Sequence, residues 1–294
     1  MAIFKGSGVA IVTPMKENLD VDFDRLEELI NFQIDNGTDA IIIAGTTGES
    51  STLTMEEHRR VIQAAVEFTK HRVPVVAGTG SNCTRTAIHL TKEAEEDGAD
   101  AALIVTPYYN KATQKGLIAH YGQIASETKL PIILYNVPGR TGCNIMPETV
   151  ATLVKENENI VGLKEATGNM AQASRTMYLC DGKLEMYSGE DGLVVPLLSI
   201  GGLGVISVIA NIAPRQTHDM VMSFLEGDLE KARQMQLKSL PLVDALFSEV
   251  NPIPVKKALN LMGMQAGPLR SPLCEMSEEN AKKLEQAMKD FGLL

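Results

Sequence analysis

One lysine in this chain of 294 residues stands where an amine could act as a nucleophile. Lys164, in Ile160-Val161-Gly162-Leu163-Lys164-Glu165-Ala166, closes a short apolar run that reads as a buried strand. No other lysine falls at the C-terminal end of such a run. An amine walled in by apolar strands is desolvated. Desolvation disfavours the ammonium form and brings the neutral amine, which adds to carbonyls to form a Schiff base, within reach near neutral pH. The same position also suits a lysine snorkelling to solvent from a strand end, or one paired with Glu165. Alternate strand residues face opposite sides, so an inward Lys164 sends Glu165 outward.

Schiff-base chemistry needs protons delivered and removed, and Tyr135, at the end of another apolar run, offers a phenol for both. Thr46 and Tyr109 carry hydroxyls that donate and accept at once, as a proton relay requires. Tyr135, as a strand-end tyrosine, also reads as a core or rim residue with a satisfied hydroxyl. Thr47 and the amides of the Gly45-Thr46-Thr47-Gly48 turn suit a carboxylate, although a plain strand-to-helix turn has the same composition. Arg140, in Pro138-Gly139-Arg140-Thr141-Gly142, presents a forked donor suited to a second carboxylate, or else a solvated loop cation. Gly201-Gly202-Leu203-Gly204 lies before the last apolar run rather than after it and reads as tight turning instead of a phosphate site.

These residues need a scaffold that brings strand ends together. Eight apolar runs recur: Val9–Thr13, Ala40–Ala44, Pro74–Ala77, Ala101–Val105, Pro131–Leu134, Ile160–Leu163, Leu184–Tyr187 and Val205–Val208. Stretches with helical periodicity lie between them, at 22–36, 55–71, 84–97, 114–128, 147–156 and 169–180, each long enough to return the chain for a parallel strand. Strands apolar on both faces belong in a covered sheet, and eight such repeats predict an α/β fold of the (β/α)8, TIM-barrel type. A doubly wound sheet would show a nucleotide-binding glycine loop at its first crossover, whereas GSG at 6–8 and GTG at 78–80 lack the third glycine. The candidate residues then fall at the C-terminal ends of the strands, where barrel active sites form. The expected division is a catalytic barrel over residues 1–212 and a helical C-terminal extension over 213–294, punctuated by Pro252, Pro254, Pro268 and Pro272.

Composition narrows the classes. A net charge of −10 with no Lys/Arg-rich run argues against nucleic acid as a partner. No run approaches the ~18 apolar residues of a membrane span, and the N-terminus has no secretory pattern, so a soluble cytoplasmic protein is expected. Cys83, Cys143, Cys180 and Cys274 form no paired motif and are expected as free, mostly buried thiols. The five histidines show no ligand spacing, and no metal is expected.

The motifs together resemble one family along essentially the whole chain: GTTGES at 45–50, AGTGSN at 77–82, TPYYNK at 106–111, YNVPGRTG at 135–142, GLKEATG at 162–168, YSGED at 187–191, GVISV at 204–208 and NPIPVK at 251–256. They resemble the dihydrodipicolinate (4-hydroxy-tetrahydrodipicolinate) synthases of the pyruvate-dependent class I aldolase superfamily. The resemblance implies that pyruvate condenses with Lys164, becomes an enamine and attacks L-aspartate 4-semialdehyde, a step of diaminopimelate and lysine biosynthesis, with no cofactor. It implies Tyr135 as acid/base, Thr46 and Tyr109 as relay, Thr47 with the backbone at Gly189 and Ile206 as the pyruvate carboxylate site, and Arg140 as the semialdehyde carboxylate site. In that family the tyrosine matching Tyr109 comes from a neighbouring subunit, which implies a homo-oligomer, usually a tetramer built as a dimer of dimers.

Family members inhibited by lysine bind it in a dimer-interface cleft. Ser50, His58, Asn82 and Tyr108 match that effector site, but Met55 and Thr86 stand where a histidine and a glutamate are common. Losing the glutamate removes an anion for the effector's ammonium, so weak or absent feedback by lysine is expected. Two rival readings share these residues. An N-acetylneuraminate or 2-keto-3-deoxy sugar acid lyase would use Lys164, Tyr135 and the GTTGE turn on a polyol, and a retro-aldol assay on sialic acid separates it. A non-enzymatic barrel scaffold would not be trapped covalently with pyruvate.

Overall fold

The protein is described here by a computed structural model covering residues 2–294. Eight parallel strands close into a barrel in sequence order: β1 (Gly6–Ala10), β2 (Ala40–Ile43), β3 (Val75–Gly78), β4 (Ala101–Val105), β5 (Ile132–Asn136), β6 (Ile160–Glu165), β7 (Glu185–Ser188) and β8 (Gly204–Ser207), with β8 pairing back onto β1. The crossovers are α1 (Phe23–Asp35), α2 (Met55–Thr69), α3 (Thr84–Glu96), α4 (Gln114–Ser126), the single turn α5 (Pro138–Thr141) with α6 (Pro147–Glu156), α7 (Met170–Cys180) and α8 (Val194–Leu198). After β8 come α9 (Pro214–Leu225), α10 (Leu229–Leu246), α11 (Ile253–Leu261) and α12 (Glu278–Phe291). The helix α9 packs on both β1 and α10, so it joins the ring to the C-terminal helices.

Two apolar layers hold the barrel. Side chains pointing outward, such as Ile41, Ile43, Leu134 and Leu163, pack on the helices, while Phe4, Ile42, Leu103, Ile133, Tyr135 and Tyr187 fill the lumen. At the base Phe4 stacks on Tyr187 with ring centroids 4.3 Å apart, and the Tyr187 hydroxyl donates to the Phe4 carbonyl. The floor is therefore packed protein, and access is from the other end. Caps fix the helices locally; Thr54 and Glu57 form a reciprocal capping box at α2, a feature worth about 1 kcal/mol.

The first strand lies three residues before the apolar run Val9–Thr13. Gly6 and Gly8 are chosen there for space, not strand propensity: a Cβ on Gly8 would stand 2.6 Å from Ile42 and 2.9 Å from Phe4. The strands β5 and β6 run past their apolar cores to Asn136 and Glu165, because the ladder pairs Tyr135 with Lys164 and Asn136 with Glu165. The cysteines are free, but only Cys143 and Cys180 are buried; Cys83 at the start of α3 and Cys274 in the segment before α12 are exposed, contrary to the expectation of mostly buried thiols. Among the described residues no helix is long and apolar enough to cross a membrane.

Candidate active site

Lys164 occupies the lumen near the C-terminal end of β6, flanked in register by Tyr135 on β5 and Tyr187 on β7. It is only 5% exposed, its Nζ lies 4.3 Å from the Tyr135 ring centroid, and that amine takes part in no ion pair or hydrogen bond of the described residues. Glu165 points the opposite way. Its Oε1 accepts the Thr167 N–H at 2.7 Å and its Oε2 is buried without a partner, with burial raising its pKa.

Gly189 creates the room for the lysine. A Cβ there would stand 2.6 Å from the Ala166 Cβ and 3.1 Å from the Lys164 Cε. The Gly189 N–H donates to the Glu165 carbonyl at 2.7 Å, so this residue offers space rather than a free donor. Ile206 lies deeper, among the lumen side chains of Tyr135 and Ala166, and is paired with Gly8 in the ladder.

The turn after β2 carries the next group of candidates. Gly48 and Ser50 donate to the Gly45 carbonyl and Glu49 to that of Thr46, which leaves the Thr46 and Thr47 N–H groups without an acceptor among the described residues. Ala44 and Glu49 hold φ of 53° and 54°, left-handed values that non-glycine residues adopt at a cost of about 1–3 kcal/mol. Thr46 and Thr47 share a cavity with Lys164, Tyr135, Arg140 and Asn251. Arg140 rides on α5, whose turn closes through Arg140 and Thr141 N–H groups on the Val137 carbonyl. Its Nη2 donates to the Asn251 carbonyl at 3.2 Å, and the Asn251 Nδ2 donates to the Thr47 hydroxyl at 3.0 Å.

Tyr109 is not brought into this site. It is 88% exposed with φ 73°, and its N–H donates to the Thr141 carbonyl. A second cavity of about 430 Å³ adjoins the first, sharing Thr46, Tyr135 and Arg140, and continues to Ser50, Met55, His58, Thr86 and Tyr108. His58 donates through Nε2 to the Gly78 carbonyl at 2.8 Å, and burial lowers its pKa. Asn82 does not line this cavity; it donates to the Tyr108 carbonyl at 3.2 Å and fixes the loop that carries Tyr108.

Several side chains around the site went unnoticed in the sequence. Asn251 was quoted only within NPIPVK, yet it bridges Thr47 and Arg140. Glu190 lines the Lys164 cavity; burial and the neighbouring Asp191 raise its pKa, against Lys164 and Arg140, which lower it. Asp191 is fully buried and accepts from Val208 and Ile209 N–H at 3.0 and 2.9 Å, pinning the turn after β8, and burial raises its pKa as well. The available signal was a pair of acidic residues directly after a strand end. Among the described residues no three His, Cys, Asp or Glu side chains converge as a metal site would require.

The arrangement supplies a buried amine, an adjacent phenol, a hydroxyl-bearing turn with two open N–H donors and a guanidinium, all around one cavity. Comparison with known proteins gives the chain's family. A protein of Lachnoclostridium phytofermentans named 4-hydroxy-tetrahydrodipicolinate synthase is 64% identical over 294 residues, the whole of both chains. A crystal structure of dihydrodipicolinate synthase from Thermotoga maritima superposes with a TM-score of 0.98 at 44% identity, covering 100% of each chain. Another from Cyanidioschyzon merolae, with lysine bound, gives 0.97 at 41% identity, again over 100% of each. The model of the dihydrodipicolinate synthetase family matches residues 3–291, and the chain belongs to that family.

Proposed function

We propose that this chain is a 4-hydroxy-tetrahydrodipicolinate synthase that condenses pyruvate with L-aspartate 4-semialdehyde through a Schiff base on Lys164, in the diaminopimelate route to lysine. The observation that carries the reading is Lys164 itself: a buried amine with no partner among the described residues, set against a phenol in the cavity. The neutral amine adds to the pyruvate carbonyl carbon, and Tyr135 protonates the departing hydroxyl so that water leaves and an iminium forms. Loss of a methyl proton gives the enamine. Its terminal carbon attacks the aldehyde carbon, and the aldehyde oxygen takes a proton from the relay. The amino group of the bound semialdehyde then adds to the iminium carbon, closes the ring and expels Lys164 as the free amine. No cofactor is required by these steps.

In this reading Thr47 and the open N–H groups of Thr46 and Thr47 hold the pyruvate carboxylate, with the backbone of Ile206 nearby and Gly189 providing room. Arg140, steadied by Asn251, holds the semialdehyde carboxylate. Thr46 and Tyr135 form the inner part of the relay. Tyr109, projecting away from its own cavity, completes the relay of a neighbouring copy, so the active unit is at least a dimer, and a tetramer is the expected assembly. The enzyme acts in the cytoplasm. Ser50, His58, Asn82 and Tyr108 surround or support an effector cleft, but Met55 and Thr86 supply no anion for an ammonium group, so lysine inhibits weakly or not at all. Micromolar lysine binding in a titration would overturn that point.

The decisive measurement is peptide-mapped mass spectrometry after incubation with pyruvate and sodium borohydride. A reduced pyruvyl adduct on Lys164, missing from Lys164→Ala, is the expected result. A folded, unmodified protein would sink the mechanism, and cleavage of sialic acid would redirect it to the sugar-acid lyases.

A further inference from the structure

A second lysine, outside the chemistry just described, is more deeply enclosed than the first. Lys256, on α11, is 1% exposed, and its Nζ donates to the Glu49 Oε1 at 2.8 Å, the Thr13 carbonyl at 3.2 Å and the Pro268 carbonyl at 2.6 Å. Three donors meet three acceptors, so the ammonium is saturated. Its carboxylate partner is equally fixed: the Glu49 Oε2 accepts the Arg270 N–H at 3.0 Å. Burial pulls the Lys256 pKa down while Glu49 opposes it.

Glu49 is the residue that ends the Gly45–Gly48 turn, and it does so in a left-handed conformation, with its N–H on the Thr46 carbonyl. Thr13, whose carbonyl Lys256 holds, also donates through its hydroxyl to the Gly48 carbonyl at 2.7 Å. Lys256 therefore grips the turn at both of its supports. A buried ion pair contributes little net stability compared with an apolar pair of the same shape, so stability alone is a weak reason for placing one here. A strained turn that must hold two threonines against a reacting centre is a better one.

We propose that Lys256 is a positioning residue: by locking Glu49 and Thr13 it sets the Thr46–Thr47 turn at the distance from Lys164 that pyruvate capture requires. The inference rests on the function proposed above, and it gives the C-terminal helices a role in substrate geometry. Its effect should fall mainly on pyruvate, because Lys256 grips the turn directly through Glu49 and Thr13, whereas Arg140 on α5 meets the turn only through Asn251.

The test uses the full chain as Lys256→Met and as the double variant Lys256→Met/Glu49→Gln, with melting temperature, steady-state kinetics and the rate of borohydride trapping at low pyruvate. The single variant leaves Glu49 buried and unpaired and should melt lower; the double variant removes that charge and should recover most of the loss. Both should show a pyruvate KM raised about tenfold or more and correspondingly slower trapping, with the semialdehyde KM within about twofold of wild type. A double variant that regains wild-type pyruvate KM and trapping along with its melting temperature would show a merely structural pair and overturn the proposal. If the single variant does not fold, the double decides. If wild type itself traps no pyruvate, it is the proposed function that has failed.

Discussion

The two buried lysines use the same side chain for opposite purposes. Lys256, in the seam between barrel and C-terminal helices, has every N–H donor matched and an anion in contact. Lys164, in the lumen, touches the face of Tyr135, and its amine pairs with nothing among the described residues. A buried polar group left unsatisfied costs about 1–3 kcal/mol, so a protein keeps one where a ligand will complete it. A saturated group is finished architecture. The contrast predicts that loss of Lys164 destroys chemistry and spares the fold, while loss of Lys256 damages the fold first.

The largest effect should come from Lys164→Ala. Turnover should fall by about 10⁴-fold or more, since no second lysine lines the cavity among the described residues, while stability should change by only about 1 kcal/mol because no side-chain hydrogen bond is lost. Calorimetry beside the kinetic assay checks both halves, and a collapse in melting temperature would erase the contrast. Lys256→Met should weigh on the fold more than on the chemistry, costing about 3–5 kcal/mol by stranding the Glu49 carboxylate, as denaturant titration would measure, beside its roughly tenfold rise in pyruvate KM. Removing the phenol with Tyr135→Phe should lower kcat by about 10²–10³-fold and leave adduct formation slow but detectable by trapping. A Tyr135→Phe enzyme with unchanged kcat would move the acid/base role elsewhere.

How much of this contrast was legible beforehand follows from how local each signal is. Lys164 was visible because a lysine ending an apolar strand breaks a short-range pattern. The eight strands were visible for the same reason, except at β1, where Gly8 answers to Phe4 and Ile42 and Gly6 to Asp39 rather than to their neighbours in sequence. α5 read as a plain turn because a single helical turn, closed by three hydrogen bonds onto Val137 and Pro138, leaves no periodicity. Lys256 and Asn251 were hidden for a different reason. Their partners Glu49 and Thr47 lie 207 and 204 residues away, and nothing in Asn251-Pro252-Ile253-Pro254-Val255-Lys256 announces an ion pair. The division between 1–212 and 213–294 falls just before α9, a helix that packs on β1 and α10 alike.

The smallest effect lies at the edge of the same seam and sharpens the comparison between saturated and exposed charge. Arg270 follows the Lys256 network outward: its guanidinium reaches the Leu19 and Thr52 carbonyls and the Glu57 carboxylate. The Arg270 bond lowers the Glu57 pKa from 4.5 to about 2. A carboxyl whose folded pKa lies below its unfolded value adds stability above the unfolded pKa and loses it as pH falls through the folded one. Because the pair is partly solvated and screened, its contribution should be about 1 kcal/mol. Wild type should therefore exceed Arg270→Met in stability by about that much near pH 7, and the Glu57 share of the gap should close between pH 4.5 and about 2, as chemical denaturation across that range would record. A gap that stays constant through the window would assign the stabilisation to the Leu19 and Thr52 carbonyls, which do not titrate, and would leave Arg270 a hydrogen-bonding strap rather than an ionic one.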